Sequence, residues 1–269
     1  MEKTPQRMNL RQLFSNNWPS KINLKFYYTF ILSVIFSLIV LGLASFRISQ
    51  NHDDDRILSY IANPKTQNIQ LYWKDDSGQI LQSIQNLKMY VEHKHNKLLF
   101  AMNAGMFTKE NSPKGLFIQN GNTIVALDTL AGNGNFYLKP NGVFYIKYNN
   151  TAGICKTSAF KDVVQVKFAT QSGPMLVIDG KVHPAITKGS LNLNIRNGVG
   201  ILPDGRVIFA MSKQEINFYD FALFFKNMGC RNALYLDGLV SRMYLPERNW
   251  LQTDGDFGVM IGVTKSEHN

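Results

Sequence analysis

The sequence predicts an α+β domain: a large mixed or antiparallel sheet with a few packed helices, preceded by one N-terminal transmembrane helix. Three observations carry this. From about Lys97 onward the chain is a series of short apolar or alternating runs, many separated by Asn-Gly or Asp-Gly steps. That is the pattern of strands joined by tight turns. Two stretches show a helical period instead. And Phe26 to Phe46 is 21 residues without a charge.

The elements follow in order. Residues 1–25 are polar and basic. Residues 26–46 are long and apolar enough to cross a bilayer, which takes about 20 residues of helix. Lys21 and Lys25 precede that run and Asp53, Asp54 and Asp55 follow it. The positive-inside rule then places the N-terminus in the cytoplasm and the rest in the periplasm or outside. Gly42 and Ala44 also fit a cleaved signal, which would make the protein secreted. Residues 47–68 are polar and read as a linker, and residues 69–269 as the soluble domain. Cys155 and Cys230 suit an oxidising compartment, either as a disulfide or as two free thiols.

Within the domain, "IQLYWKDDSGQILQSI" gives a strand, a turn at Asp76-Ser77-Gly78 and the start of a helix whose Ile80, Ile84, Leu87 and Val91 share a face. Strands then dominate, with Asp179-Gly180 and Asp204-Gly205 as the clearest turns. A second helix begins after Asn217 as N-cap, carries Asp220 in its first turn and stops at Gly229.

The net charge of +10 favours an anionic substrate or a membrane surface. No Lys/Arg run is interleaved with aromatics, which argues against nucleic acid. No zinc pattern and no Gly-x-Ser-x-Gly elbow is present, so the sequence indicates no cofactor and no metal-ligand cluster; a divalent cation stays open. Four polar clusters stand where strand patterning does not need them. Asn103 and Gly105 follow an apolar strand, as a ligand contact or as a strand-ending turn. Ser172, Gly173 and Pro174 precede another. Arg196 stands before Gly198 and Gly200, as an anion clamp or a surface ion pair. Asp237 ends "ALYL", a run apolar enough for a central strand, where a carboxylate is costly to bury without a purpose. The step Asp237-Gly238 also has the letters of a turn.

Asn103-Ala104-Gly105-Met106-Phe107, then Ser172-Gly173-Pro174, then Arg196-Asn197-Gly198-Val199-Gly200, then Asp237-Gly238-Leu239-Val240-Ser241 resemble the successive signatures of the phosphodiester glycosidases, over roughly Ile69 to Val263. A bacterial branch of exported proteins is the nearest likeness. Ala104, Leu239 and Val240 stand where that family often has glycine. The resemblance implies hydrolysis of a sugar-1-phosphodiester in an envelope glycan, a lipid or a nucleotide sugar. It implies Asp237 as the carboxylate, with Glu215, Asp220 and Glu247 open as its partner. Arg196 would hold the phosphate, with Lys139 as a second cation. Asn103, Ser172 and Ser241 would hydrogen-bond the substrate, and Gly105, Gly173 and Gly238 would let backbone approach it. The alternative is a non-catalytic, membrane-anchored module that binds envelope glycans or sugar phosphates.

Overall fold

The computed structural model describes residues 28–37, 54–161, 164–238 and 240–267. Residues 28–37 form an exposed helix, α1, within the unit Met1–Asn51. The rest of the apolar run lies outside the described residues. Among the described residues no helix is long and apolar enough to cross a membrane.

The unit His52–Asn269 is mostly sheet. Its strands form three antiparallel sheets rather than the one large sheet the sequence suggests. The first sheet has the order β1 (Ile57–Ala62), β12 (Val207–Ser212), β11 (Asn197–Ile201), β13 (Ala233–Asp237), β9 (Met175–Ile178) and β10 (Lys181–Val182). The second runs β15 (Trp250–Leu251), β14 (Met243–Leu245), β3 (Asn96–Gly105), β16 (Val259–Ser266) and β2 (Asn68–Tyr72). The third runs β5 (Asn122–Val125), β4 (Phe117–Gln119), β8 (Val166–Ser172), β6 (Gly142–Lys147) and β7 (Ala152–Lys156). Strand β1 corrects the expected linker: its six residues pair with β12, from Ile57 opposite Ser212 to Ala62 opposite Val207.

One core joins the three sheets. Tyr60 stacks on Phe100 at 4.8 Å, Phe100 on Phe209 at 5.1 Å, and Phe144 meets Phe209 edge-on at 6.1 Å. Those four rings come from all three sheets, and such pairs add about 0.5–1.5 kcal/mol each beyond their burial. Helix α3 (Phe218–Asn227) covers the other face of the first sheet with Phe221 and Phe225. This explains why β12 is buried at every residue. Helix α2 (Ile84–His93) covers the second sheet through Ile84, Leu87 and Val91. Ile80 lies before it, in a bridge with Lys74.

The helix ends follow the sequence. Ser83 Oγ accepts from the Asn86 N–H, and Asn217 Oδ1 accepts from the Asp220 N–H at 2.9 Å. Gly229 closes α3 at φ +81°. Cys155 and Cys230 are free thiols, pushed up to about 11 and about 12 by burial.

Candidate functional site

Three strands from two sheets bring Asn103, Asn197 and Asp237 to one polar junction. Asn103 lies near the end of β3, Asn197 opens β11 and Asp237 ends β13. Asn197 and Asp237 are opposite each other, at a bulge that shifts the register after Asn197. A bulge re-aims a side chain, and it is frequent beside active sites. Here it turns the Asn197 amide between the two sheets. Its Nδ2 donates to Asn103 Oδ1 at 2.7 Å and to the Asn103 carbonyl at 3.1 Å. Its Oδ1 accepts from the Asp237 N–H at 2.8 Å. Both asparagines are fully buried, and Asp237 is 8% exposed. The junction therefore holds the backbone of Asp237 through Asn197. Asn103 Nδ2 is buried without a hydrogen-bond partner among the described residues. Orphan donors of this kind are rare in folded proteins and call for an explanation.

The chain beyond Asp237 is tied back to the same junction. The Gly238 N–H donates to Asp237 Oδ1 at 2.6 Å. Ser241 Oγ donates to the Asp237 carbonyl at 3.2 Å, so this serine braces the loop instead of facing outward. The Arg242 N–H donates to Asn103 Oδ1 at 3.0 Å. Gly238 is required by space: an added Cβ would fall 1.6 Å from Tyr235 Oη. That phenol is fixed edge-on against Phe218 at 4.8 Å, and burial raises its pKa, opposed by the Arg196 charge. Leu239 lies outside the described residues, and Val240 is partly buried against the apolar cluster of the second sheet and α2.

Arg196 points to the opposite face of the first sheet. It is fully buried. Its Nε donates to the Ile216 carbonyl at 2.8 Å and its Nη2 to the Asn192 carbonyl at 2.8 Å. The guanidinium lies 3.6 Å from the centre of the Phe218 ring, and burial lowers its pKa. It makes no ion pair among the described residues. A phosphate contact would require it to leave these partners, so its position suits a brace for Tyr235, whose hydroxyl it approaches at 3.5 Å.

The remaining predicted residues lie on or beside the third sheet, except Gly105, which ends β3 of the second. Ser172 Oγ donates to the Leu236 carbonyl at 2.8 Å, fastening β8 to β13. Gly173 precedes a cis proline, and a Cβ there would lie 2.7 Å from Asn141 Cβ and from the Phe136 carbonyl. Gly105 is as tight, with a Cβ at 2.7 Å from Thr170 Oγ1. These glycines allow close packing between strands. Lys139 is exposed, with Nζ on the Thr129 carbonyl at 2.9 Å. It lines a cavity of about 360 Å3 with Asn141, Thr157 and Ser158. Of the open partners for Asp237, Asp220 lies in the first turn of α3 and pairs with Arg56 at 3.5 Å. Glu247 lies in the single turn Pro246–Arg248 near Tyr60, and Glu215 is exposed ahead of α3. None of the three joins the junction. Sequence reasoning missed Asn197, whose Asn-Gly step has the letters of a turn although it begins a strand.

The chain belongs to the phosphodiester glycosidase family, whose sequence profile matches residues 96–264. Among individual proteins it is 38% identical over 190 residues to the uncharacterized protein YigE of Escherichia coli, covering 70% of this chain and 74% of that one. Its fold is similar to the catalytic domain of zebrafish N-acetylglucosamine-1-phosphodiester alpha-N-acetylglucosaminidase, described as auto-inhibited by its pro-peptide. That match has a TM-score of 0.50 at 15% identity and covers 77% of this chain and 88% of that domain. A solved structure from Burkholderia pseudomallei matches with a TM-score of 0.52 at 11% identity, over 77% of this chain and 73% of that one.

Proposed function

We propose that this chain hydrolyses a sugar-1-phosphodiester, releasing the sugar and a phosphomonoester, with Asp237 as the working carboxylate. The observation that carries the reading is the junction itself. A carboxylate at the end of a central strand, nearly buried, is fixed through its backbone by an amide pair that includes an orphan donor. Structural economy would place an apolar residue or a satisfied amide there.

Cleavage at the anomeric carbon passes through an oxocarbenium-like state. Asp237 stabilises that positive charge and accepts the proton of the attacking water. The leaving phosphomonoester has a second pKa near 6, so it departs as a stable anion with little need of an acid. One carboxylate therefore suffices for the essential step, consistent with the dispersal of Glu215, Asp220 and Glu247. Asn103 Nδ2 offers a hydrogen bond to a sugar hydroxyl or phosphate oxygen. The substrate class we favour is an envelope glycan, glycosyl lipid or nucleotide sugar. It is presented to a domain that residues 26–46 hold outside the cytoplasm, a placement supported by their 21 uncharged residues and the preceding lysines.

The test is release of sugar from a panel of sugar-1-phosphodiesters by the purified full chain, N-acetylglucosamine-1-phosphodiesters included. Turnover by wild type supports the hydrolase. Tight binding of the same compounds without turnover supports the glycan-binding module instead.

A further inference from the structure

We propose that Arg242 is the cation that recognises the substrate's phosphate, an inference that rests on the hydrolase reading of the junction. A phosphodiester carries one negative charge at neutral pH. Its site needs a guanidinium that is fixed at its root yet open to solvent at its tip. Arg196 is sealed under α3. Arg242 has the required placement. Its own N–H is bonded to Asn103 Oδ1 at 3.0 Å, so its root is one hydrogen bond from the orphan amide. Its side chain is 35% exposed.

The guanidinium is only partly engaged. Nε reaches both Asp254 oxygens at 2.9 Å, and Nη1 donates to the Ser241 carbonyl at 3.0 Å. Among the described residues Nη2 has no hydrogen-bond partner. The paired fork of two nitrogens, the strongest way for arginine to bind a carboxylate or phosphate, is not used on Asp254. Asp254 is 64% exposed, and an exposed ion pair contributes only about 0–1 kcal/mol. A phosphate oxygen at Nη1 and Nη2 can therefore be bound beside Asp254 or in exchange for it at little cost. Position 242 also follows the Asp237–Ser241 signature directly, which couples the cation to the carboxylate through four residues of chain.

The experiment uses the full chain as wild type, Arg242→Gln and Arg242→Lys. KM and kcat are measured on the methyl diester of N-acetylglucosamine 1-phosphate. Binding is titrated with N-acetylglucosamine 1-phosphate and with N-acetylglucosamine. We expect Arg242→Gln to raise KM roughly tenfold or more, the weight of one charge-assisted contact, with kcat changed by less than about threefold. Sugar phosphate binding should weaken by the same factor while sugar binding stays constant, and Arg242→Lys should recover part of the loss. Unchanged KM and binding overturn the proposal, as does an equal loss for sugar and sugar phosphate, which would show a structural role. Absence of turnover by wild type sinks the hydrolase reading alone. The binding arm then still decides: a phosphate-dependent difference upholds Arg242, and equal or absent phosphate binding overturns it.

Discussion

The dipeptide Asp-Gly occurs on two neighbouring strands of the first sheet with opposite consequences. At Asp179-Gly180, between β9 and β10, both residues have positive φ, +49° and +78°. This is the mirror-image turn that matches strand twist, and nothing lies within 4 Å of a Cβ added at Gly180. At Asp237-Gly238, β13 ends without a returning partner. The chain crosses to the second sheet, where β14 pairs with β3. Gly238 is not left-handed and is wedged against Tyr235 Oη. The first pair reverses the chain in solvent. The second delivers a carboxylate into the seam between sheets. The two letters are the same, and the destination of the following residues sets their role.

The largest expected contrast is catalytic. Asp237→Asn keeps shape and hydrogen bonds but removes the charge, and should lower kcat by about two to four orders of magnitude, the range of acid–base assistance. Asp179→Asn should leave turnover unchanged, since asparagine tolerates the left-handed turn. A steady-state comparison of both variants, with thermal melts to show folding, checks this. Equal activities would dissolve the distinction. Next come the glycines. Gly238→Ala should cost about 1–3 kcal/mol through overpacking on a phenol held by Phe218, and take activity with it. Gly180→Ala should cost about 1–2 kcal/mol from its left-handed backbone alone, with kcat intact. Urea unfolding beside an activity assay separates strain at the site from strain in the turn.

Smaller effects belong to the hairpin side. His183 follows β10 and is almost fully buried, and desolvation holds its imidazole below the ordinary value. The unfolded chain binds that proton more readily. Stability from this residue is thus complete above about pH 6.5 and falls as the pH drops through the folded value. Denaturation midpoints between pH 8 and 5 should show this decline, and His183→Gln should flatten it. Last, Arg231 meets Asp179 at 3.2 Å with both side chains largely exposed. Arg231→Ala should shift stability by under about 0.5 kcal/mol, within the error of most melts.

Much of the strand content was legible because alternation and turn residues are local. The cap at Asn217, the stop at Gly229 and the turn at Asp179-Gly180 needed only neighbours within a few residues. The division into three sheets was not legible, because it depends on partners far along the chain: β3 pairs with both β14 and β16. Strand β1 was hidden by its setting. "ILSYIA" is apolar but short, and it stands next to an acidic, polar stretch. At the site, Asp237 could be singled out because a carboxylate ending an apolar strand conflicts with burial. Asn197 and Arg242 gave no such conflict. An asparagine before glycine suits a turn, and an arginine after a serine suits a surface. Only the bulge beside Asn197 and the bond from the Arg242 N–H to Asn103 place them at the junction. Arg196 shows the converse: the motif singles it out for a ligand, while its long-range partners, the Ile216 carbonyl and the Phe218 ring, could not be read from the motif.

The junction also has a temporal meaning. Asn103 is bonded to residues 94 and 139 positions away, and Asn197 to one 40 positions away. Contacts of that separation close late, after hairpins and helices have formed in microseconds. The bond from the Asp237 N–H to Asn197 therefore forms late. During refolding, any activity of the junction should return only with the slowest phase, well behind the ultraviolet signature of helix and strand.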